Sequence, residues 1–147
     1  MTEQSLRHTY LAWTRRAAPM LLLPLVLTAM LQAASSTTWW DSPSPDGGAM
    51  RYLFISVAVA SVVIGRSVRA RETTELPIDV AASTSLSWRM VVYACAPVTI
   101  GAVLALMTRQ MWDYYALLVV TLAGLIVLFP TFAQWMAWSR PAEGEES

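Results

Sequence analysis

Long apolar stretches alternate with short polar segments along the whole chain. Four of these stretches carry no charge, and they cover residues 17–34, 52–65, 90–108 and 114–139. An α-helix rises about 1.5 Å per residue, so roughly 20 residues cross a bilayer core about 30 Å thick. The second stretch is short, but Arg51 and Arg66 at its ends can snorkel to the surface and lengthen it. The pattern therefore predicts four transmembrane helices, at about 17–34, 50–66, 89–108 and 113–138.

Helices are the expected form of these spans because lipid offers no partner for an unpaired backbone N–H or C=O group. The turn at 109–113, "RQMWD", is tight, so the third and fourth spans should pack as an antiparallel hairpin. We expect an all-α integral membrane protein, a four-transmembrane-helix bundle of two antiparallel hairpins. Residues 1–16 would form a cytoplasmic N-terminal segment, 17–139 the four-helix membrane domain and 140–147 a disordered acidic tail.

Composition agrees with this class and excludes several others. Of 147 residues, 56% are hydrophobic and 14% are charged, whereas about a quarter are charged in a typical soluble domain. Ten arginines balance ten acids, so no basic surface predicts nucleic-acid binding. A single cysteine and a single histidine exclude an intramolecular disulfide, a cysteine-based zinc site and a pair of haem ligands. We therefore expect no metal and no cofactor.

Arginines are distributed unevenly between the two sides of the predicted bundle. With the N-terminus in the cytoplasm, eight fall on the cytoplasmic side, and only Arg51 and Arg109 fall outside. Because short cytoplasmic loops are enriched in arginine, this predicts that both termini are cytoplasmic, in a bacterial inner membrane. The alternative is that residues 14–36, which resemble a secretory signal, are cleaved to leave three spans. Pro19, Pro24 and the length of the run favour retention.

The seven tryptophans all fall near predicted membrane boundaries, where indole is favoured. Four aromatic residues recur every three positions at the end of the fourth span: Phe129, Phe132, Trp135 and Trp138. We interpret them as an interfacial belt and packing surface, with Pro130 bending the last turns of the helix. The alternative is that they wall a lipid or quinone pocket, which makes them candidate ligand contacts.

Small and charged residues predict how the spans meet. Ser61 and Gly65, like Gly101 and Ala105, are four residues apart, a spacing that allows close helix contact. A cluster of ion pairs is expected to tie the two hairpins together at the outer surface. Its candidate members are Arg51, Arg109, Asp41, Asp46 and Asp113.

The interiors of the spans contain no Asp, Glu, Lys, Arg or His, which disfavours a proton-coupled transporter. Cys95 is interpreted as a small packing residue. The remaining polar residues should bond helix to helix or back to their own backbone. They are Thr28, Gln32, Ser56, Ser61, Tyr93, Thr99, Thr121 and Gln134.

No family motif can be placed on these residues, so the functional hypotheses rest on what the spans contain and lack. The leading one is a small non-catalytic membrane protein, an accessory or assembly subunit that packs against partner helices or against itself within the lipid. The first alternative is a facilitator or small transporter that acts as an oligomer. The second is a lipid- or quinone-handling protein that uses Trp135, Arg140 and the loop from Arg66 to Arg71 at the inner face.

Overall fold

The computed structural model describes residues 3–41, 48–74 and 78–139, and helices account for nearly all of them. The helices are α1 (Glu3–Ser35), α2 (Gly48–Glu72), α3 (Val80–Thr108), α4 (Met111–Leu128) and α5 (Phe132–Ser139). The described ranges contain no strand. The first four helices are long and apolar enough to cross a membrane, so the predicted all-helical fold with four candidate membrane spans is confirmed for these ranges. The predicted tail 140–147, with Arg140, and Asp46 lie outside the described residues.

Three helices extend well beyond their predicted spans into polar sequence. The helix α1 already begins at Glu3, and α2 continues past Arg66 to Glu72. The next helix, α3, begins at Val80, where the Asp79 carboxylate accepts a hydrogen bond from the Val80 N–H at 2.7 Å. An aspartate at this position satisfies one of the N–H groups that a helix start leaves free. Most of the polar segment between the second and third spans is therefore helix.

The helix α3 is the centre of the structure. It contacts α1, α2 and α4, and 56% of its most apolar 18-residue window is buried, compared with 17% in α1 and 11% in α2. Arg109 ends α3 in the left-handed conformation (φ 53°, ψ 34°), and α4 begins two residues later. Because this turn is so short, α4 returns directly along α3. The predicted antiparallel hairpin of the third and fourth spans is confirmed.

The first two spans do not form the second predicted hairpin. No Cα atom of α1 lies within 8 Å of a Cα atom of α2, whereas each of them approaches α3 and α4. The link at 36–47 is long enough to let two consecutive helices separate, so sequence neighbours need not be neighbours in space. The prediction of two paired hairpins was wrong in this respect. The fold is one hairpin, α3–α4, on which α1 and α2 pack separately.

Glycines set the close approach of α2, α3 and α4. A Cβ atom added to Gly65 would lie 2.9 Å from both Leu128 Cδ1 and Tyr93 Cβ, and one added to Gly101 would lie 2.9 Å from Leu117 Cβ. Both separations are too short for real atoms, so the predicted close contacts exist and are made within the chain. Gly124 on α4 plays the same part and was not predicted: its added Cβ would lie 3.1 Å from Val62.

Two prolines inside helices are accommodated by donors from a neighbouring helix. A proline lacks the N–H that would bond to the carbonyl four residues earlier, so Pro24 frees Met20 and Pro97 frees Tyr93. The Cys95 thiol donates to the Met20 oxygen at 3.7 Å. The Ser61 hydroxyl lies 3.4 Å from the Tyr93 oxygen. Both are weak hydrogen bonds, and both link the helix that carries the proline to its neighbour.

Pro130 ends a helix where we predicted that it would bend one. The helix α4 stops at Leu128, and Phe129 is extended (φ −63°, ψ 120°), as expected for a residue that precedes a proline. Thr131 and Gln134 then start α5 as a capping box, in which each side chain accepts the other's backbone N–H, at 3.1 and 3.4 Å. Because the sequence "TFAQ" supplies a new helix start, the chain breaks cleanly and α5 can take a different direction.

Candidate functional site

Aromatic side chains from α1, α3, α5 and the break before α5 form one cluster at the α5 end of the molecule. Tyr10 and Trp13 of α1 contact rings of this segment, with centroids 5.5 Å apart for Tyr10 and Trp135 and 5.6 Å for Trp13 and Phe129. Trp88 of α3 meets Trp13 at 6.4 Å. Offset and edge-on ring pairs of this kind add to the free energy gained from burial alone. The cluster therefore holds α5 against α1.

Hydrogen bonds fix the position of α5 within this aromatic cluster. The Trp135 Nε1–H donates to the Ser87 hydroxyl at 2.9 Å, and Ser87 in turn donates to the Ser83 carbonyl at 2.7 Å. The Tyr10 hydroxyl donates to the Pro130 carbonyl at 3.1 Å. The Ile78 N–H donates to the Trp138 carbonyl at 2.8 Å. Two of these bonds thus reach α5 itself, and the third holds the break that precedes it.

The four aromatic residues singled out in the sequence all belong to this region. Trp135 has no exposed surface and Trp138 has 5%, while Phe129 and Phe132 are partly buried. Their predicted role in packing is confirmed, but the two indoles are covered by protein and do not form an exposed belt. Contact of these four residues with a lipid or quinone stays a prediction.

A cleft of about 390 Å³, here called the arginine cleft, opens beside the break between α4 and α5. It is lined by Arg66, Arg69, Ala70, Thr73, Val127 and Leu128. The Arg69 guanidinium donates to the Val127 carbonyl at 3.1 Å and lies 5.8 Å from the centre of the Trp138 ring. The Val127 carbonyl has no helical N–H partner, because the N–H four residues later, on Thr131, donates to Gln134 in the capping box. The break in the helix therefore positions Arg69.

The arginine cleft carries positive charge that the residues lining it do not neutralise. No carboxylate is among these lining residues. Glu72, at the end of α2, forms an ion pair with Arg89 of α3. Arg66 is exposed and makes no hydrogen bond or ion pair with the part of the chain that the structure describes. Among the residues that the structure describes, an anion that enters the cleft would meet two guanidinium groups and no competing acid in the lining.

A second cavity, of about 280 Å³, lies between α1 and α3 at the same end. It is lined by His8, Thr9, Ala12, Trp13, Arg16, Thr84 and Trp88. The nearby Trp13 Nε1 and Ser83 Oγ atoms are buried, and within the described ranges neither has a hydrogen-bond partner. Buried polar atoms without a partner are uncommon in folded proteins. The α5 end thus combines two basic cavities with an aromatic cluster.

The opposite end contains the predicted ionic cluster in part. Arg51 of α2 pairs with Asp113 of α4 at 2.9 Å and also donates to Gln110 in the turn. Arg109 instead lies over the Trp39 ring, 4.6 Å from its centre. Asp41 is exposed. The pair between Arg51 and Asp113 confirms that charges tie α2 to the α3–α4 hairpin.

Polar side chains within the spans are used in hydrogen bonds. The Tyr114 hydroxyl donates to the Pro24 carbonyl at 2.8 Å and lies 2.8 Å from the Thr28 hydroxyl, which joins α4 to α1. Thr121 donates to the carbonyl of Leu117 on its own helix at 3.1 Å. Gln32 donates to Tyr115 at 2.8 Å. These contacts confirm the predicted role for Thr28, Gln32 and Thr121, and they leave these groups little freedom to line a path for a solute.

Sequence reasoning missed several residues that shape this site. Tyr114 was not singled out, although it is wholly buried and joins two helices. The capping box at Thr131 and Gln134 was visible in the sequence and would have predicted the start of α5. The role of Arg69 could not be read from the sequence, because its partners become available only where α4 ends.

No protein-family model, curated protein or solved structure matches the chain. The function is therefore inferred from the structure itself, which consists of a hairpin, two separately packed helices and a basic, aromatic α5 end.

Proposed function

We propose that the protein is a non-catalytic accessory or assembly subunit that packs against helices of other membrane proteins. The observation that carries this proposal is an uncovered side of the central helix. Val92, Val103 and Leu106 of α3 are 50%, 49% and 42% exposed, and Thr99 lies between them on the same side. We call these four residues the open face of α3. A central helix with neighbours on its other sides leaves here an apolar strip to which a partner helix can bind.

The helix contacts within the chain favour this proposal over a self-contained bundle. The small residues that allow close helix contact, Gly65, Gly101 and Gly124, already pack against other helices of the same chain. The separation of α1 from α2 leaves the side of α3 that carries the open face without a covering helix. In a membrane, burial of apolar surface gives little driving force, so shape complementarity and hydrogen bonds decide association. Thr99 is the polar group on the open face.

Photocrosslinking in the native membrane tests this proposal. A photoreactive amino acid at Val103, on the open face, is expected to form several-fold more adducts with other membrane proteins than one at Val119. Val119 is the matched control because it is also an exposed valine, at 65%, but lies on α4. Adducts at twice the mass of the chain would identify a second copy as the partner. Adducts with lipid alone at Val103, or equal protein adducts at both positions, would contradict the proposal.

We further propose a bacterial inner-membrane location with both termini in the cytoplasm. The support is the excess of arginine in the two terminal segments and the loop between the second and third spans, which together hold eight of the ten arginines of the chain. Reporters that are active on only one side of the membrane, fused separately to each terminus, should both report the cytoplasm. Termini on opposite sides would contradict this orientation.

The facilitator is the weaker alternative, because its candidate hydroxyl groups at Thr28 and Thr121 are bonded to protein. The lipid-handling alternative has a specific observation in its favour, the arginine cleft.

A further inference from the structure

We propose that the arginine cleft binds a phosphate group, of the kind carried by an anionic phospholipid headgroup or by a free phosphate anion. This inference concerns a ligand site and does not depend on the partner helices proposed above. It stands on three features of the cleft: the geometry of its two arginines, its apolar wall and its uncompensated charge.

The two arginines can act on one ligand. Arg66 and Arg69 are three residues apart on α2, so their side chains leave the same face of the helix, and both line the cleft. A guanidinium group carries five N–H donors in a planar fork that matches two oxygens of a phosphate. Arg69 gives one donor to Val127 and keeps the others. Because that bond and the Trp138 ring already hold the Arg69 side chain, binding a ligand would cost it less conformational entropy.

The wall opposite the arginines is apolar and continues along the membrane-facing side of α4. Val127 is 49% exposed where it lines the cleft, and Leu128 closes the bottom. Val119, Leu122 and Ile126 continue an exposed apolar surface on α4, with Ile126 at 84%. A lipid could therefore place its phosphate between the arginines while an acyl chain runs along α4. Basic pockets at the ends of membrane helices are a known way of recognising anionic headgroups.

Charge and size also suit a phosphate. The described residues of the lining include two cations and no acid, and Glu72 is engaged with Arg89. The Thr73 side chain adds a hydroxyl at the edge of the cleft. At about 390 Å³ the cleft lies within the range of small-ligand sites, which runs from about 300 to 1,000 Å³. A quaternary ammonium headgroup would find no acid and no open aromatic face among the described lining residues, so the cleft should prefer a net negative lipid.

The test measures binding of fluorescent phosphatidylglycerol and phosphatidylcholine to the purified full-length protein in detergent. The wild type should bind phosphatidylglycerol more tightly. Arg66→Gln should weaken that binding about fivefold, the loss expected for one arginine at a membrane surface. Arg71→Gln is the matched control, because it removes the same charge from an exposed position on α2 outside the cleft, and it should change binding less than about twofold.

Two results would overturn the proposal, and two others distinguish its ligand. Equal losses of phosphatidylglycerol affinity in Arg66→Gln and Arg71→Gln would show a diffuse electrostatic attraction and no specific site in the cleft. Equal affinity of the wild type for both lipids, together with no effect of inorganic phosphate, would show that the cleft does not recognise phosphate. Displacement of the bound lipid by excess inorganic phosphate would support a site that accepts the free anion. Retention of the lipid under the same conditions would support a headgroup site. Arg69→Gln is not used for this decision, because Arg69 also bonds to Val127.

Discussion

Replacing Trp135 with alanine is expected to lower the free energy of unfolding by about 3–5 kcal/mol, the range for removing a large aromatic side chain from a core. Trp135 has no exposed surface and contacts both Tyr10 and Trp13 of α1. Its loss would leave a cavity, and the Ser87 hydroxyl would lose the indole donor. Circular dichroism in mixed micelles with increasing dodecyl sulfate measures the change. Because α5 has only eight residues, it has little stability of its own once this contact is lost.

Trp112→Ala is the matched control for this prediction. Trp112 is 82% exposed at the other end of α4, so the same chemical change should cost less than about 1 kcal/mol there. Trp135→Phe should fall between the two, since it keeps a ring in the cluster but removes the N–H that donates to Ser87. Equal destabilisation by the two alanine variants would mean that α5 is not held by its buried indole.

The four candidate spans could be predicted from the sequence because lipid leaves the chain few options. An uncharged stretch that is long enough must be helical, and Arg51 and Arg66 marked the ends of the least obvious one. The extension of α1 to Glu3 was also within reach. Leu6, Tyr10, Trp13 and Ala17 recur at intervals of three and four residues, and each is buried or partly buried on one side of the helix. This amphipathic stripe lies in a segment that we predicted only as cytoplasmic.

The arrangement of the spans was less predictable than their existence. Charge and hydropathy are similar on all four, so the sequence does not say which helix occupies the centre. That position depends on where backbones can approach closely. Gly65, Gly101 and Gly124 bring α2 and α4 onto α3, whereas α1 is joined to the hairpin partly by the hydroxyl of Tyr114. The short turn between α3 and α4 predicted their hairpin correctly. The longer link between α1 and α2 does not force these two helices to pack together.

The arginine cleft shows why a site can be hidden from sequence analysis even when each residue is noticed. Arg66 and Arg69 were predicted at one membrane surface, and Pro130 was expected to disturb the helix nearby. The cleft forms because α4 ends at Leu128, which leaves the Val127 carbonyl free for Arg69 and turns α5 toward α1. One proline thus produces both the aromatic cluster and the cleft. The aromatic cluster and the arginine cleft therefore depend on the same break between α4 and α5.

Gly65→Leu should disrupt the contact between α2 and the hairpin, with a loss of about 3 kcal/mol in the free energy of unfolding, at the upper end of the usual cost of overpacking. Even a Cβ atom would lie 2.9 Å from the Tyr93 Cβ, which is fixed to the α3 backbone and cannot rotate away. The two helices must therefore separate to admit a leucine. Unfolding by dodecyl sulfate in mixed micelles, followed by circular dichroism, measures the loss.

Ala60→Leu is the matched control, since Ala60 is exposed on the same helix and a larger side chain there meets no neighbour of the hairpin. It should change the free energy of unfolding by less than about 0.5 kcal/mol. Displacement of α2 would also move Arg69 away from the Val127 carbonyl, so Gly65→Leu should weaken phosphatidylglycerol binding while Ala60→Leu leaves it unchanged. If Gly65→Leu were as stable as the wild type, the helices would not be in contact at Gly65, and the arginine cleft would lose the wall that α4 provides.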